Sequence, residues 1–375
     1  MKVLVRYVSS QIVGAVLFVL AAFLALFAFF DLIGELPAVG RGGYRLQHAF
    51  IYVAMGLPGY VYELMPIAAL IGTIYTLAQL GVRSEFTIMR ASGLSMRMAG
   101  MMLAKVGIVF VLITSLFGEF IAPACSQMAE KLKLQVQGAM ISQEFRSGYW
   151  TKDVIRENGL TGEPIGSRFV NVREVSPDGQ LRGVKLYEFD RDFHLTAVVT
   201  AAHADYEGEN VWRLGNVSET LFPTGTPDIS ATVKTTNAAN RKLVSEITPD
   251  ILSVLFADPD RMSAYDLHAY INHLEENNQN TGRYEIAFWK KLIYPFSAMV
   301  MMALALPFAY LHFRAGGVSL KIFIGIMIGV SFQLINSLFS HLGLLNTWPP
   351  LATAAVPSAI FLLVAIGALL WVERH

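Results

Sequence analysis

Six basic residues beside long apolar runs are the clearest candidates for a binding site in this sequence. They are Arg41, Arg45, Lys131, Lys133, Lys290 and Lys291. Guanidinium and ammonium groups at a membrane surface bind phosphate, so this set predicts a site for the phosphates of an anionic lipid. The alternative is that these side chains pair with Glu35 or Glu130, or contact ordinary lipid headgroups.

The charged segment Gly81–Ser95 is a second candidate site, because it lies between two apolar runs. Its charges exclude it from the hydrocarbon of a bilayer, and they are Arg83, Glu85 and Arg90. Ser84 predicts the start of a short helix and Gly93 predicts its end. Its apolar surface comprises Phe86, Ile88 and Met89. Such a helix suits docking on a soluble partner; a plain connecting loop is the alternative.

Catalytic functions receive little support from the residue pattern. The histidines are scattered, and His268 and His273 are five residues apart, which is the wrong spacing for one helical face. There is no Walker motif and no glycine-rich phosphate loop, so we expect any ATP hydrolysis to take place on another chain. We predict no metal site and no bound cofactor. Cys125 has no second cysteine with which to form a disulfide within the chain.

The composition is that of a membrane protein with one soluble part. The 375 residues are 54% hydrophobic and only 15% charged, which is too apolar for an ordinary soluble protein. Basic and acidic residues number 29 each, so the net charge gives no indication of nucleic-acid binding, and we expect none. A membrane-spanning helix needs about 20 apolar residues. Six segments qualify: Val8–Ile33, Pro58–Leu80, Arg97–Ile121, Leu292–His312, Leu320–His341 and Leu351–Val372.

The distribution of basic residues predicts the orientation of these spans. The residues expected on the cytoplasmic side are Lys2, Arg6, Arg83, Arg90, Arg97, Arg314, Lys321 and Arg374. Both termini are then cytoplasmic, and the region between the third and fourth spans is extracytoplasmic. The helical rise of about 1.5 Å per residue places Glu63 and Glu119 near the outer interface.

Polar residues also mark the outer halves of the first and fifth spans. Asp31 ends the first span, and Gln333, Asn336 and Ser340 share one face of the fifth because they are three and four residues apart. This face predicts a polar path or gate. Hydrogen bonding between neighbouring helices is the alternative.

The region from about residue 142 to 249 has the pattern of an antiparallel β domain, a sandwich or barrel-like roll. Short apolar or alternating runs predict strands, and they are Arg168–Arg173, Val184–Phe189, Leu195–Ala201 and Val211–Leu214. Turn residues separate them, at Pro177–Gly179, Glu207–Asn210 and Pro223–Gly225. After Pro249 the pattern becomes helical, with a capping-box-like sequence at Ser263–Asp266.

Local motifs in this order resemble those of the LptF/LptG family, the permease subunits of the lipopolysaccharide export ABC transporter of Gram-negative bacteria. They are Pro66–Gly72, Arg83–Glu85, Met89–Gly93, Gly118–Pro123, Val211–Arg213 and Gly282–Tyr284. The resemblance covers essentially the whole chain. The Arg83–Glu85 and Gly282–Tyr284 motifs are more similar to the LptG branch than to the LptF branch.

The resemblance implies a specific set of partners. The charged segment becomes a coupling helix, residues 83–93, that docks on a dimer of the LptB ATPase, which holds ATP and Mg²⁺. Glu85 and Arg90 would be its polar contacts there, and the ATPase-coupling residues would be Arg83, Glu85, Phe86, Met89 and Arg90. The extracytoplasmic domain becomes a periplasmic β-jellyroll that hands lipopolysaccharide to LptC and LptA. LptF would be the second permease.

The resemblance also places the lateral openings along the first and fifth spans. The residues expected there are Phe29, Asp31, Gln333 and Asn336. One departure from the family is the absence of a basic residue near the outer end of the first span, where no Lys or Arg precedes Arg41. The phosphate contacts would then come from Arg41, Lys131 and Lys133.

These observations predict a membrane α-helical protein with six transmembrane helices and an all-β jellyroll-like domain inserted between helices 3 and 4. The expected divisions are residues 1–125, 126–288 and 289–375. The predicted function is extraction of lipopolysaccharide from the inner membrane, powered by a separate ATPase. The alternatives are a membrane-anchored periplasmic sensor or assembly factor, and a permease of another ABC export system, such as lipoprotein release.

Overall fold

The computed structural model describes residues 2–40, 43–144, 149–176, 180–223, 233–249, 258–276, 279–310, 318–346 and 348–374. Six of the described helical segments are long and apolar enough to cross a membrane. The third of these ends at Lys133 and the fourth begins at Gly282, and a six-stranded sheet lies between them. The predicted fold class, six spans with an inserted β domain, is therefore confirmed.

The helices extend well beyond the apolar runs that predicted them. In the first half of the chain they are α1 (Lys2–Glu35), α2 (Leu46–Val82), α3 (Glu85–Ala91), α4 (Met96–Leu116) and α5 (Ala122–Glu144). A π-helical turn, Phe117–Ile121, joins α4 to α5. In the second half they are α6 (Ala264–Glu276), α7 (Gly282–Ile293), α8 (Ser297–Ala305), α9 (Pro307–Tyr310), α10 (Val318–Leu345) and α11 (Pro350–Arg374).

Helix α2 lies at the centre of the bundle, and glycines let its neighbours approach closely. A Cβ added to Gly72 would lie 2.6 Å from the backbone nitrogen of Val16, so α1 and α2 are in near backbone contact there. On another side, α10 packs on α2 through Gly325 and Gly329, a Gly-x-x-x-Gly pair of the kind that brings membrane helices together. Apolar burial alone does not hold helices together in lipid, so this close packing carries much of the association.

The inserted domain is one antiparallel sheet whose strands follow each other in chain order. The strands are β1 (Tyr149–Asn158), β2 (Thr161–Val175), β3 (Leu181–Asp190), β4 (Leu195–Gly208), β5 (Val211–Leu221) and β6 (Lys234–Val244). The four strands predicted from the sequence lie within β2 to β5. Their inward side chains form an apolar core that includes Val172, Leu186, Val199 and Trp212.

The loops of the domain agree with the turn pattern where the structure describes them. Glu209 and Asn210 have positive φ angles of 50° and 62°, as the tight turn between β4 and β5 requires. Pro177–Gly179 and most of Pro223–Gly225 lie outside the described residues. The predicted cap of α6 is confirmed, because the Asp266 amide donates to Ser263 Oγ at 3.0 Å.

Candidate functional site

The short helix α3 lies at the α2–α4 junction, and its two ends differ. Gly93, at φ +96°, donates its N–H to Arg90 O, and Leu94 donates to Met89 O, which together form a Schellman motif. The predicted end of the helix is thus confirmed. Ser84 does precede the helix, but its φ of 57° is left-handed and its side chain makes no capping hydrogen bond.

The two sides of α3 face different surroundings. Phe86 and Met89, three residues apart, are buried in the same apolar core as α2 and α4, and Phe86 is only 4% exposed. Both residues are therefore the anchors of α3 on its own chain. Ile88, on the opposite side, is 64% exposed, and Arg90 is also exposed. The surface that α3 presents outward is therefore apolar and basic.

Glu85 connects α3 to the first helix. Its Oε2 accepts a hydrogen bond from Tyr7 Oη at 3.1 Å, and its Oε1 lies 3.9 Å from Arg83 Nη1. Tyr7 belongs to the first turns of α1, so the carboxylate bridges two elements at this end of the bundle. The sequence offered no signal for this contact, because the two residues are 78 positions apart.

The described basic residues that were predicted to bind phosphate differ in their surroundings. Lys133 Nζ lies 2.9 Å from Glu35 Oε1 and 4.6 Å from the centre of the Tyr52 ring. Glu35 also accepts from Tyr44 Oη at 3.1 Å, and burial, with this carboxylate, raises the pKa of Tyr44. The pairing with Glu35 that the sequence left open is thus present. Arg45 and Lys131 are exposed, whereas Arg41 lies outside the described residues.

Lys290 and Lys291 have other partners. Lys290 Nζ lies 3.3 Å from Asp260 Oδ1. Lys291 is buried, with its Nζ 4.9 Å from the centre of the Tyr62 ring on α2. It interacts electrostatically with Glu119, Asp260 and Glu63, so carboxylates of its own chain surround it.

The residues predicted to line lateral openings lie on two helices that pack against different sides of α2. Asp31 accepts a hydrogen bond from Tyr60 Oη at 3.0 Å, while Phe29 is exposed on the outer surface of α1. On α10, Asn336 is buried and Gln333 Oε1 is a buried oxygen without a hydrogen-bond partner among the described residues. A buried amide oxygen without a hydrogen-bond partner is energetically costly.

A group of potential metal ligands that the sequence analysis missed lies at the β3–β4 turn. It comprises Asp190, Asp192 and His194, whose ligand atoms lie within 4.8 Å of one another. Asp190 Oδ1 accepts from the backbone amides of Asp192 and His194, and these contacts lower the pKa of the Asp190 carboxyl. The arrangement is therefore that of a side-chain-capped turn.

Comparison with known proteins agrees with this architecture. Residues 6–371 match the family described as Lipopolysaccharide export system permease LptF/LptG. The chain belongs to the LptF/LptG family. It is 32% identical to the lipopolysaccharide export system permease protein LptG of Escherichia coli (strain K12) over 376 residues, which cover 98% of each chain. It is 29% identical to the LptG of Haemophilus influenzae over 358 residues, 95% of each chain.

Membership of this family makes the chain a permease subunit of lipopolysaccharide export, without an enzymatic role of its own. Both relatives are named LptG, which agrees with the branch favoured by the Arg83–Glu85 and Gly282–Tyr284 motifs. The six apolar helices fit a multi-pass protein of the inner membrane.

Proposed function

We propose that this chain is the LptG-type half of a transporter that extracts lipopolysaccharide from the inner membrane and passes it to a periplasmic bridge. An LptF-type permease is its membrane partner, and an LptB-type ATPase dimer supplies energy, with ATP and Mg²⁺ held there. LptC- and LptA-type proteins receive the lipid. Both termini and α3 face the cytoplasm, and the β domain faces the periplasm.

The exposed side of α3 is the observation that carries the ATPase part of this proposal. A seven-residue helix is too short to be stable by itself in water, so its buried anchors must hold it. Phe86 and Met89 do this, and they leave Ile88 and Arg90 outward. An exposed apolar side chain beside an arginine, a residue enriched at interfaces, offers a surface on which a soluble partner can dock.

The anchors also provide the route by which docking moves the bundle. When the ATPase dimer closes on ATP, a displacement of α3 reaches α4 because Phe86 and Met89 share one core with Leu103 and Phe110. It reaches α1 through the hydrogen bond between Glu85 and Tyr7. The cavity between this chain and its membrane partner then narrows, and the lipid moves toward the apolar interior of the β domain.

Replacing Ile88 by lysine tests the docking surface without disturbing the fold. Because this side chain is 64% exposed, its replacement changes folding by no more than about 0.5 kcal/mol. An interface anchor is worth about 2 kcal/mol or more, so we expect binding of the ATPase to weaken about thirtyfold and ATPase stimulation to fall with it. The measurement is the affinity of the purified ATPase for the permease pair in nanodiscs.

Phe193→Lys is the matched control, because Phe193 is also 64% exposed but lies on the β domain. It should leave ATPase affinity unchanged. Wild-type affinity and normal lipid export in the Ile88→Lys variant would exclude α3 as the docking surface.

A further inference from the structure

The third span and the helix that follows the β domain are joined through a carboxylate. Glu119 lies in the π turn between α4 and α5. Its Oε2 accepts a hydrogen bond from the Ala264 amide at 2.9 Å, and its Oε1 lies 3.3 Å from the Tyr265 amide, which also donates to it. A π turn inserts an extra residue and redirects its side chains, and such turns often occur at functional positions.

Glu119 thereby completes the N-terminal cap of α6. The first amides of a helix have no partner within the helix. Here Glu119 accepts from the first two, and Ser263 Oγ accepts from the third, Asp266, at 3.0 Å. A negative charge at this end also interacts favourably with the helix dipole. The residue that ties α6 to the membrane bundle is 145 positions from its partner in sequence.

The π turn packs closely against the other helices of the bundle. A Cβ added to Gly118 would lie 2.5 Å from the Tyr62 ring, so α2 packs directly against the turn. The same ring contacts Lys291 of α7, which interacts electrostatically with Glu119. Any rearrangement of α2, α4 and α7 therefore displaces Glu119.

The other end of α6 reaches the β domain. His273 Nδ1 lies 3.9 Å from Glu246 Oε2, and Glu246 follows the last strand and binds Arg156 of β1 at 3.1 Å. The indole of Trp212, in the core of the sheet, donates to Ile247 O at 2.7 Å. Helix α6 is stiffened by packing on α7, through an apolar cluster that comprises Met262, Leu267, Tyr270, Leu274, Tyr284, Ala287 and Phe288.

We propose that α6 is a strut that transmits movement of the third span to the β domain, with Glu119 as the positioning residue at its membrane end. This inference rests on the proposed function, because it assigns a route by which closure of the bundle reaches the lipid-receiving domain. A helix of 13 residues spans roughly 20 Å. The β domain then follows the bundle because its exit helix is capped at one end by the Glu119 carboxylate and at the other lies against Glu246, which is paired with Arg156 of β1.

The strut is tested first on the full chain in nanodiscs, without any partner. In Glu119→Ala, hydrogen exchange of the Ala264 and Tyr265 amides should become roughly fivefold to thirtyfold faster, the range for loss of a helix cap. Glu119→Gln keeps an acceptor oxygen and should recover part of the protection. Glu63→Gln is the control, because Glu63 is another carboxylate beside Lys291 and should leave α6 unchanged.

The second readout is the distance between the third span and the β domain. Spin labels at Met128 and Thr235, both exposed, in a Cys125→Ser background should give a narrow distance distribution. Glu119→Ala should broaden it. Unchanged exchange and an unchanged distribution in Glu119→Ala would overturn the strut, whether or not an ATPase binds to the chain.

The third readout separates coupling from simple destabilisation. In the reconstituted transporter, Glu119→Ala should keep wild-type ATPase stimulation while delivery of lipopolysaccharide to the periplasmic acceptor falls. Loss of both activities would overturn the positioning role, because damage to the bundle itself impairs both. If the wild-type chain fails to stimulate an ATPase, the proposed function fails, and the exchange and distance measurements still decide on the strut.

Discussion

Replacing Arg168 by methionine should strongly destabilise the inserted domain, because this arginine joins three neighbouring strands from within. Asp153, Arg168 and Glu188 lie opposite one another on β1, β2 and β3. Arg168 Nη1 is 3.1 Å from Asp153 Oδ2, and its Nε is 3.0 Å from Glu188 Oε1. Asp153 also accepts a hydrogen bond from Ser245 Oγ at 2.7 Å.

The size of the effect follows from burial. Asp153 is 0% exposed, so removal of Arg168 leaves a carboxylate inside the domain without its counter-ion. Burial already raises the pKa of Asp153, and the contacts with Arg168 and Ser245 act against this. Loss of one partner of such a pair costs about 3–5 kcal/mol. Each 1.36 kcal/mol is tenfold, so strand amides that exchange through domain opening should do so about 10²- to 10⁴-fold faster.

The assay is hydrogen exchange measured on peptides from β1 to β6 of the full chain. Arg191→Met is the matched control, because Arg191 pairs with Glu163 at 3.5 Å on the surface and both are largely exposed. That change should cost no more than about 0.5 kcal/mol. Adding Asp153→Leu to Arg168→Met should restore part of the protection, since no buried charge is then left alone. Equal exchange rates in Arg168→Met and Arg191→Met would refute the idea that the buried arginine holds the strands together.

The other predictions concern the strut, the bundle and the lipid site. Burial lowers the pKa of His273, so its protonation favours the state in which α6 has moved away from the β domain. The distance distribution between the labels at Met128 and Thr235 should therefore broaden as the pH falls below about 6.5, and His273→Asn should remove this dependence. Gly72→Ala should lower the unfolding temperature in detergent because α1 and α2 must separate, whereas Gly14→Ala, with open space around its added Cβ, should not. Lys131→Ala with Lys133→Ala should weaken binding of phosphorylated lipid up to about thirtyfold, at about 1 kcal/mol for each lysine; unchanged binding would assign both to ordinary headgroup contacts.

The number of spans and the place of the inserted domain could be predicted from the sequence, because uninterrupted apolar runs of this length are typical of membrane-spanning helices. Helix lengths could not be predicted in the same way. Helix α2 begins at Leu46, ahead of the predicted Pro58, and it continues through both Pro58 and Pro66. Hydropathy reports how much of a helix lies in lipid, and a helix that continues above the membrane has no reason to remain apolar.

The first and last strands were not among those predicted, and their composition shows why. Strand β6, Lys234–Val244, is exposed along nearly its whole length and lies at the edge of the sheet. It therefore lacks the apolar alternation that a half-buried strand requires. Strand β1 is the opposite edge, and its fully buried charged residue, Asp153, is balanced by a partner that only the fold brings near.

The surroundings of the candidate site residues could not be predicted from the sequence. Phe86 and Met89 share a face of α3 at a spacing of three residues, yet the sequence does not say whether that face meets the same chain or another protein. Lys133 and Lys291 were grouped because both lie near the outer surface. In the structure Lys133 pairs with Glu35, whereas Lys291 is buried against the Tyr62 ring, because partners depend on packing and not only on height along a helix.

ATPase docking at α3 and movement of the β domain through α6 both depend on displacement of the same helix, α4. Helix α4 shares a core with the anchors of α3 at its beginning, and it leads directly into the π turn that holds Glu119 at its end. A displacement of α3 therefore has a continuous, well-packed path to the cap of α6. Because a close-packed helix shifts as a unit, ATPase docking and movement of the β domain need no separate signal. We therefore expect Gly107→Ala, whose added Cβ would lie 3.1 Å from the Met299 side chain, to disturb the packing of α4 midway. The ATPase should still bind at α3 and the Glu119 cap of α6 should still form, but docking should no longer move the β domain.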